Sequence, residues 1–192
     1  ARSVRTIQVV VLGLLVAALL FGTVSATLAD APAPEPSTAK FEVRFMEDMI
    51  DHHAMAVMEA EVCLDKAIHD ELRTTCQNII TSQRQQIEMM QTWLQDWYGV
   101  AYELEMTPGM MNQVDKLASL DGVELEIDFM QTMIKHHRQA IKEAETCLDK
   151  AYHPELLSLC QNIIETQSAE IQQMQTWLCE WYGICKQNEM EG

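Results

Sequence analysis

The chain contains the same long segment twice. Phe45 to Val100 aligns without a gap on Phe129 to Ile184, an offset of 84 residues with roughly three in five positions identical. A duplication of this length copies a whole supersecondary unit, so the fold has to be built from two equivalent pieces. Each copy reads as a pair of amphipathic helices, the first pair from about Phe41 to Ala67 and from about Asp70 to Tyr98. Leu72, Cys76, Ile79, Gln83, Ile87, Met90 and Leu94 recur at spacings of three and four, a stripe that buries one helix face. Gly99 and Gly183 follow the second helices, where glycine ends a helix at low cost. Pro154 opens the last helix at a position that needs no N–H, and Asp121-x-x-Glu124 resembles a capping signal. Turns at 68–69 and 152–153 are too short for anything but antiparallel hairpins. With 48% hydrophobic residues and few glycines or prolines, the expected fold is all-α. It is an up-down-up-down four-helix bundle made of two duplicated αα-hairpins.

Residues 1–29 read as an export signal. Arg2 and Arg5 precede an apolar run from Val9 to Phe21, and Ser25-Ala26-Thr27-Leu28-Ala29 offers small residues for cleavage. The apolar run is short for a membrane span, which takes roughly 20 residues; an uncleaved anchor is the alternative. Residues 30–40 form a linker rich in Pro and Ala. The domain then covers 41–192, with hairpin 1 at 41–99, a connector at 100–122 and hairpin 2 at 123–184. A periplasmic or secreted protein is expected.

Each copy carries Met-x-x-Met-x-x-His-His: Met46, Met49, His52 and His53, then Met130, Met133, His136 and His137. Residues three and four apart are helix neighbours, so Met46, Met49 and His53 share a face. Thioethers and imidazoles suit soft monovalent cations such as Cu(I), with Ag(I) as its mimic, better than Mg, Ca or Mn. In an up-down bundle the connector joins two helix ends at one pole. That would bring Met90, Met106, Met110, Met111 and Met174 to the same end as the two repeated clusters. Buried methionines also serve as core filler, and adjacent histidines are often one buried and one solvated residue. Repetition of the whole pattern favours the metal reading without deciding it. Met55 and Met58 are not repeated, being replaced by Gln139 and Lys142. The net charge of −16 disfavours nucleic acid and anionic membranes and favours cations.

Cys63 and Cys76 flank the first hairpin turn, and Cys147 and Cys160 the second. In an exported chain this spacing predicts two hairpin disulfides. Cys63 lies 17 residues beyond Met46, about 25 Å along a helix, which separates the bridge from that cluster. Cys179 and Cys185 occur only in the second copy, either bridged to each other or free.

The motifs Phe129-Met130-x-x-Met133-Ile134-x-His136-His137-x-x-Ala140-Ile141, Gly109-Met110-Met111 and Gln167-x-x-Glu170-Ile171-x-x-Met174-x-x-Trp177-Leu178 belong together. Combined, they resemble a family of small ferritin-like domains long classed as of unknown function, across all of the chain after the linker. The resemblance implies a four-helix bundle that binds Cu(I) and Ag(I) through Met and His as a periplasmic metallochaperone in copper resistance. It carries metal binding onto Met46, Met49, His52, His53, Met130, Met133, His136 and His137. Envelope copper efflux or sensor proteins are the partners it implies. The first copy departs at Gln86, where the second has Glu170, and the second departs at Lys142.

Enzyme classes find little support. No Glu stands three residues before any histidine, as a di-iron site requires, and there is no nucleophile elbow, P-loop or dinucleotide fingerprint. The remaining alternative is a non-catalytic interaction module. Trp93, Trp97, Trp177 and Trp181, with Tyr98 and Tyr182, would form its docking surface at the metal pole, unless they only cap the core. His69 and His153, at the turns, read as cap or surface residues. Gln83 and Gln167 read as buried amides bonding across the bundle or supporting His53 and His137.

Overall fold

The computed structural model describes residues 31–104 and 106–185. The expected export signal at 1–29 lies outside them. Five helices follow in order: α1 (Pro36–Lys66), α2 (Asp70–Tyr98), α3 (Pro108–Ala118), α4 (Gly122–Lys150) and α5 (Pro154–Tyr182). No strand occurs among the described residues. The helix stops are those the sequence signals. Gly99 and Gly183 take left-handed φ of 66° and 68°, and their N–H groups close on the last turns. Pro36, Pro108 and Pro154 stand in the first turns of α1, α3 and α5.

Two boundaries and one capping bond differ from expectation. α1 starts inside the supposed linker, at Pro36. The connector contains a helix of its own, α3, begun by Thr107, whose hydroxyl accepts the Met110 N–H. Asp121 makes no side-chain cap; its carboxylate instead pairs with Lys66 at 2.8 Å.

The hairpins form as predicted. All three disulfides are present: Cys63–Cys76, Cys147–Cys160 and Cys179–Cys185. Strict up-down-up-down alternation does not occur. Glu42, near the start of α1, bonds to Tyr152 and His153 beyond the end of α4. Glu126, near the start of α4, bonds to Ile68 and His69 beyond the end of α1. The helices α1 and α4 are therefore antiparallel, where alternation would make them parallel. The cause is the connector, which runs back along the bundle before α4 begins. Lys66, at the end of α1, donates to the Ala118 and Leu120 carbonyls at the end of that path. Its reach suffices: α3 supplies about 16 Å, and the nine residues before it up to about 30 Å, against about 43 Å for α2.

All four long helices contribute to each of two core clusters. One contains Met46, Met49 and Met90 with Ala140, Ala144 and the Cys147–Cys160 bridge. The other contains Met130, Met133 and Met174 with Ala56, Ala60 and the Cys63–Cys76 bridge. Ala56 and Ala60 repeat as Ala140 and Ala144, so each copy supplies small residues to the cluster that holds the other copy's thioethers. This also corrects the separation of sulfur types. Cys63 is remote from Met46 within one copy, yet its disulfide shares a cluster with the methionines of the other.

Candidate metal site

The antiparallel crossing of α1 and α4 decides where the repeated motif goes. Met46, Met49, Met90, Met130, Met133 and Met174 are all fully buried, but in two clusters rather than at one pole. Between them the four histidines meet near the middle of the α1–α4 contact. His52 and His136 lie with ring centroids 4.7 Å apart. His53 and His137 are wholly buried. The connector methionines do not join a buried cluster: Met106 and Met110 are half-buried, and Met111 is exposed at the start of α3. The expectation of a single sulfur-rich pole fails because the connector carries α4 back to the far end.

Each buried imidazole is held from behind. Nε2 of His53 lies 2.6 Å from Oε1 of Gln86, and Nε2 of His137 lies 2.6 Å from Oε2 of Glu170. Gln86 is itself oriented by donating to Asn162 at 3.0 Å, which turns its oxygen toward His53. If Nε2 carries the proton, Nδ1 keeps a lone pair. Nδ1 of His53, His136 and His137 and both ring nitrogens of His52 are buried without a partner. Oε1 of Gln83 and of Gln167 is unpartnered too, so these amides do not bond across the bundle through those oxygens. A buried polar atom without a partner costs free energy, and so many in one layer point to something that fills it.

Burial is the main cause that pushes His52 down to about 3, with the neighbouring His136, His53 and His137 adding to it. Burial likewise lowers His53 to about 4, partly opposed by the bond to Gln86. His136 falls to about 4 through burial and then the charges of His137 and Lys135. These three rings are neutral at ordinary pH, the form in which imidazole ligates a metal. Among the described residues no three His, Cys, Asp or Glu side chains converge on one point. The donors buried nearest this layer are thioethers and neutral imidazoles, a soft-to-borderline set.

A second pair of clusters escaped the sequence reading. Glu42 takes hydrogen bonds from the Tyr152 and His153 N–H groups, from Tyr98 and from Nδ1 of His153. Its repeat counterpart Glu126 does the same with Ile68, His69 and Tyr182. Trp97 lies flat on His153 and Trp181 on His69, each at 3.8 Å between centroids. Trp93 and Trp177 stack behind them. The aromatics therefore divide between the two ends of the bundle instead of forming one docking face. The turn histidines stand at the N-cap positions of α2 and α5, as expected, and these bonds anchor them there. The available signal was the repeat itself, since Glu42, His69, Trp97 and Tyr98 all recur 84 residues later.

Residues 42–178 match the family described as a domain of unknown function, DUF305. Among solved structures, CopM in its Cu(I)-bound form is similar at 36% identity and a TM-score of 0.66, over 74% of this chain and 98% of that one. CopM in an Ag-bound form, obtained by co-crystallisation, matches with the same figures. A DUF305 fragment from Deinococcus radiodurans matches at 28% identity and a TM-score of 0.64, over 77% of this chain and 97% of that one. No curated protein sequence matches. No helix among the described residues is long and apolar enough to cross a membrane.

Proposed function

The chain belongs to the DUF305 family, and on that basis we propose that it is an exported, non-enzymatic Cu(I) carrier or buffer that also takes Ag(I) and contributes to copper resistance. The observation that carries this reading is the layer of partnerless imidazole nitrogens between two buried sets of thioethers. The Cu(I)- and Ag-bound CopM structures support it. Met46, Met49, Met90 and His53 would hold one ion, and Met130, Met133, Met174 and His137 another. His52 and His136 stand between them. Met106, Met110 and Met111 would meet the ion nearer the surface. Thioethers bind without losing a proton, and the buried rings are already neutral, so a soft cation meets its ligands ready. Export is supported by the signal-like residues 1–29. Delivery to envelope efflux or sensor proteins follows as the role of such a carrier.

The test is titration of the reduced-metal form against a chromogenic Cu(I) chelator under anaerobic conditions. Withdrawal of Cu(I) from micromolar chelator is expected; a protein that leaves the chelator fully loaded is not a copper carrier. The alternative is a non-catalytic helical module stabilised by the disulfides and the end clusters. Met46, Met49, His52 and His53 changed together to Ala separates the two: copper tolerance in cells falls for a carrier and is unmoved for a scaffold.

A further inference from the structure

One cavity opens onto the imidazole layer from outside. It has a volume of about 560 Å³ and lies between α1, α3 and α4, walled by Glu59, Gln113, Asp128, Thr132, His136 and Gln139 among others. Glu59 is the unusual member. It is 1% exposed, accepts one hydrogen bond from Gln113 at 2.7 Å, and leaves its second carboxylate oxygen buried without a partner. Burial, with the charge of Asp128, pushes its carboxyl up to about 7. A buried acid with an idle oxygen, on the wall of a cavity this large, is a group whose cost a cation would relieve.

We infer that this cavity is the port through which a soft monovalent cation reaches the buried ligands, with Glu59 as its transient oxygen ligand and His136 as the group that takes the ion inward. The inference rests on the copper reading above and assigns the route to that site. Three features support it. His136 lines the cavity and also packs against His52, so one side chain belongs to both the opening and the buried layer. A carboxylate is a hard donor, attractive to a cation by charge yet a poor resting place for Cu(I), which suits a group that must release it. The cavity breaks the repeat, since α3 packs against one side only; Glu143, the counterpart of Glu59, is half-exposed and bonded to Gln139. Lys116 and Lys135 also line the cavity, but both are exposed, and Lys116 pairs with Asp128 at 3.7 Å. Water screens them far more than it screens the buried Glu59.

Stopped-flow transfer of Cu(I) from a bicinchoninate complex to the intact chain reads loading rate and affinity separately. Glu59→Gln should slow loading at least tenfold and leave the dissociation constant within twofold. Gln139→Trp, at an exposed position on the mouth, should slow it similarly and leaves Glu59 untouched, so it decides the matter if the first variant folds poorly. Unchanged rates in both variants overturn the port. A Glu59→Gln variant that loses affinity as much as rate makes Glu59 a resting ligand and also overturns it. Wild-type protein that takes no Cu(I) at equilibrium defeats the copper reading itself, a different failure from a port variant that loads normally.

Discussion

The Glu42 carboxylate caps the helix that begins after His153, 111 residues away, by accepting both the backbone N–H and Nδ1 of that histidine. His153 itself has no side-chain cap to offer α5. Its other ring nitrogen faces the Ala31 carbonyl at 2.8 Å. Both partners are buried, so the pair closes one end of the bundle without water. Glu126 and His69 close the other end, with His69 partly exposed.

That difference in burial sets an order. Glu42→Gln should cost about 3 kcal/mol, the upper end of the range for leaving buried hydrogen-bonding groups without their partner. Glu126→Gln should cost about 1–2 kcal/mol, because water reaches His69. Urea unfolding with disulfides intact measures both, and equal losses would mean that burial is not what matters here.

The metal-free protein should weaken in acid in two stages. The folded values of His52, His53 and His136 lie near 3 to 4, below their ordinary value of 6.5. At these three rings the unfolded chain therefore binds more protons than the folded one below about 6.5, so their contribution is full above that pH and is lost as pH falls toward 3 to 4; Glu59, pushed up to about 7, opposes it between 7 and 4.5 but is one group against three. Glu42 and Glu126 add a second loss at lower pH. Burial alone would raise them, but the bonds from tyrosine, histidine and backbone outweigh it and hold both below 4.5. Their contribution is present above that value and disappears as pH falls through the depressed one. Urea midpoints at pH 7, 5 and 4 should decline in that order, and replacing His52 and His136 by Leu should flatten the step between 7 and 5.

Two separate thioether sets imply separable ions. Met46, Met49 and Met90 changed together to Leu should remove one Cu(I) equivalent, and the same change at Met130, Met133 and Met174 the other. Leucine conserves volume, so each single exchange should cost under about 1.5 kcal/mol in stability. Stoichiometry from chelator competition checks this; loss of all binding from either triple would restore a single shared centre.

The two halves should not bind equally. His137 is backed by a carboxylate, His53 by an amide. Glu170→Gln should weaken the second half-site by about tenfold or more, the usual scale for such supporting contacts. Gln86→Glu should strengthen the first. Stepwise Cu(I) titration of the two variants would show opposite movements.

Removing the hairpin bridges should cost about 3 kcal/mol each. Cys179–Cys185 closes a shorter loop, of sequence separation 6 against 13, and should cost less. Thermal unfolding with and without reductant, on chains carrying one bridge at a time, gives the three values.

What the sequence made legible was local. The hairpins, the glycine stops and the two hairpin disulfides follow from residues flanking a single short turn, where register leaves little choice. The direction of the second hairpin was not legible, because a connector of this length can serve either orientation. Thr107-Pro108 marked the start of α3, yet a short helix with exposed polar positions shows little periodicity. The repeated methionines and histidines were singled out by the repeat, and Met46, Met49, Met90, Met130, Met133, Met174, His53 and His137 are buried, whereas Met106, Met110 and Met111 are not; how they group depended on that direction. Glu42 and His153 were invisible as partners, since nothing local links residues in different copies.

Because α1 and α4 meet antiparallel, each hairpin offers the other the same surface it receives, as the subunits of an isologous twofold dimer do. Glu42 and His69 stand in one copy, Glu126 and His153 in the other, and each acid has a tyrosine of its own copy but takes its histidine and backbone N–H groups from the other. A lone hairpin of this sequence would carry both parts of the lock and could fasten it only on a twin. The crossing segment that holds α3 thus turns what would be a concentration-dependent pairing into an intramolecular one, and leaves on one flank a feature that two identical hairpins related by a twofold axis would lack.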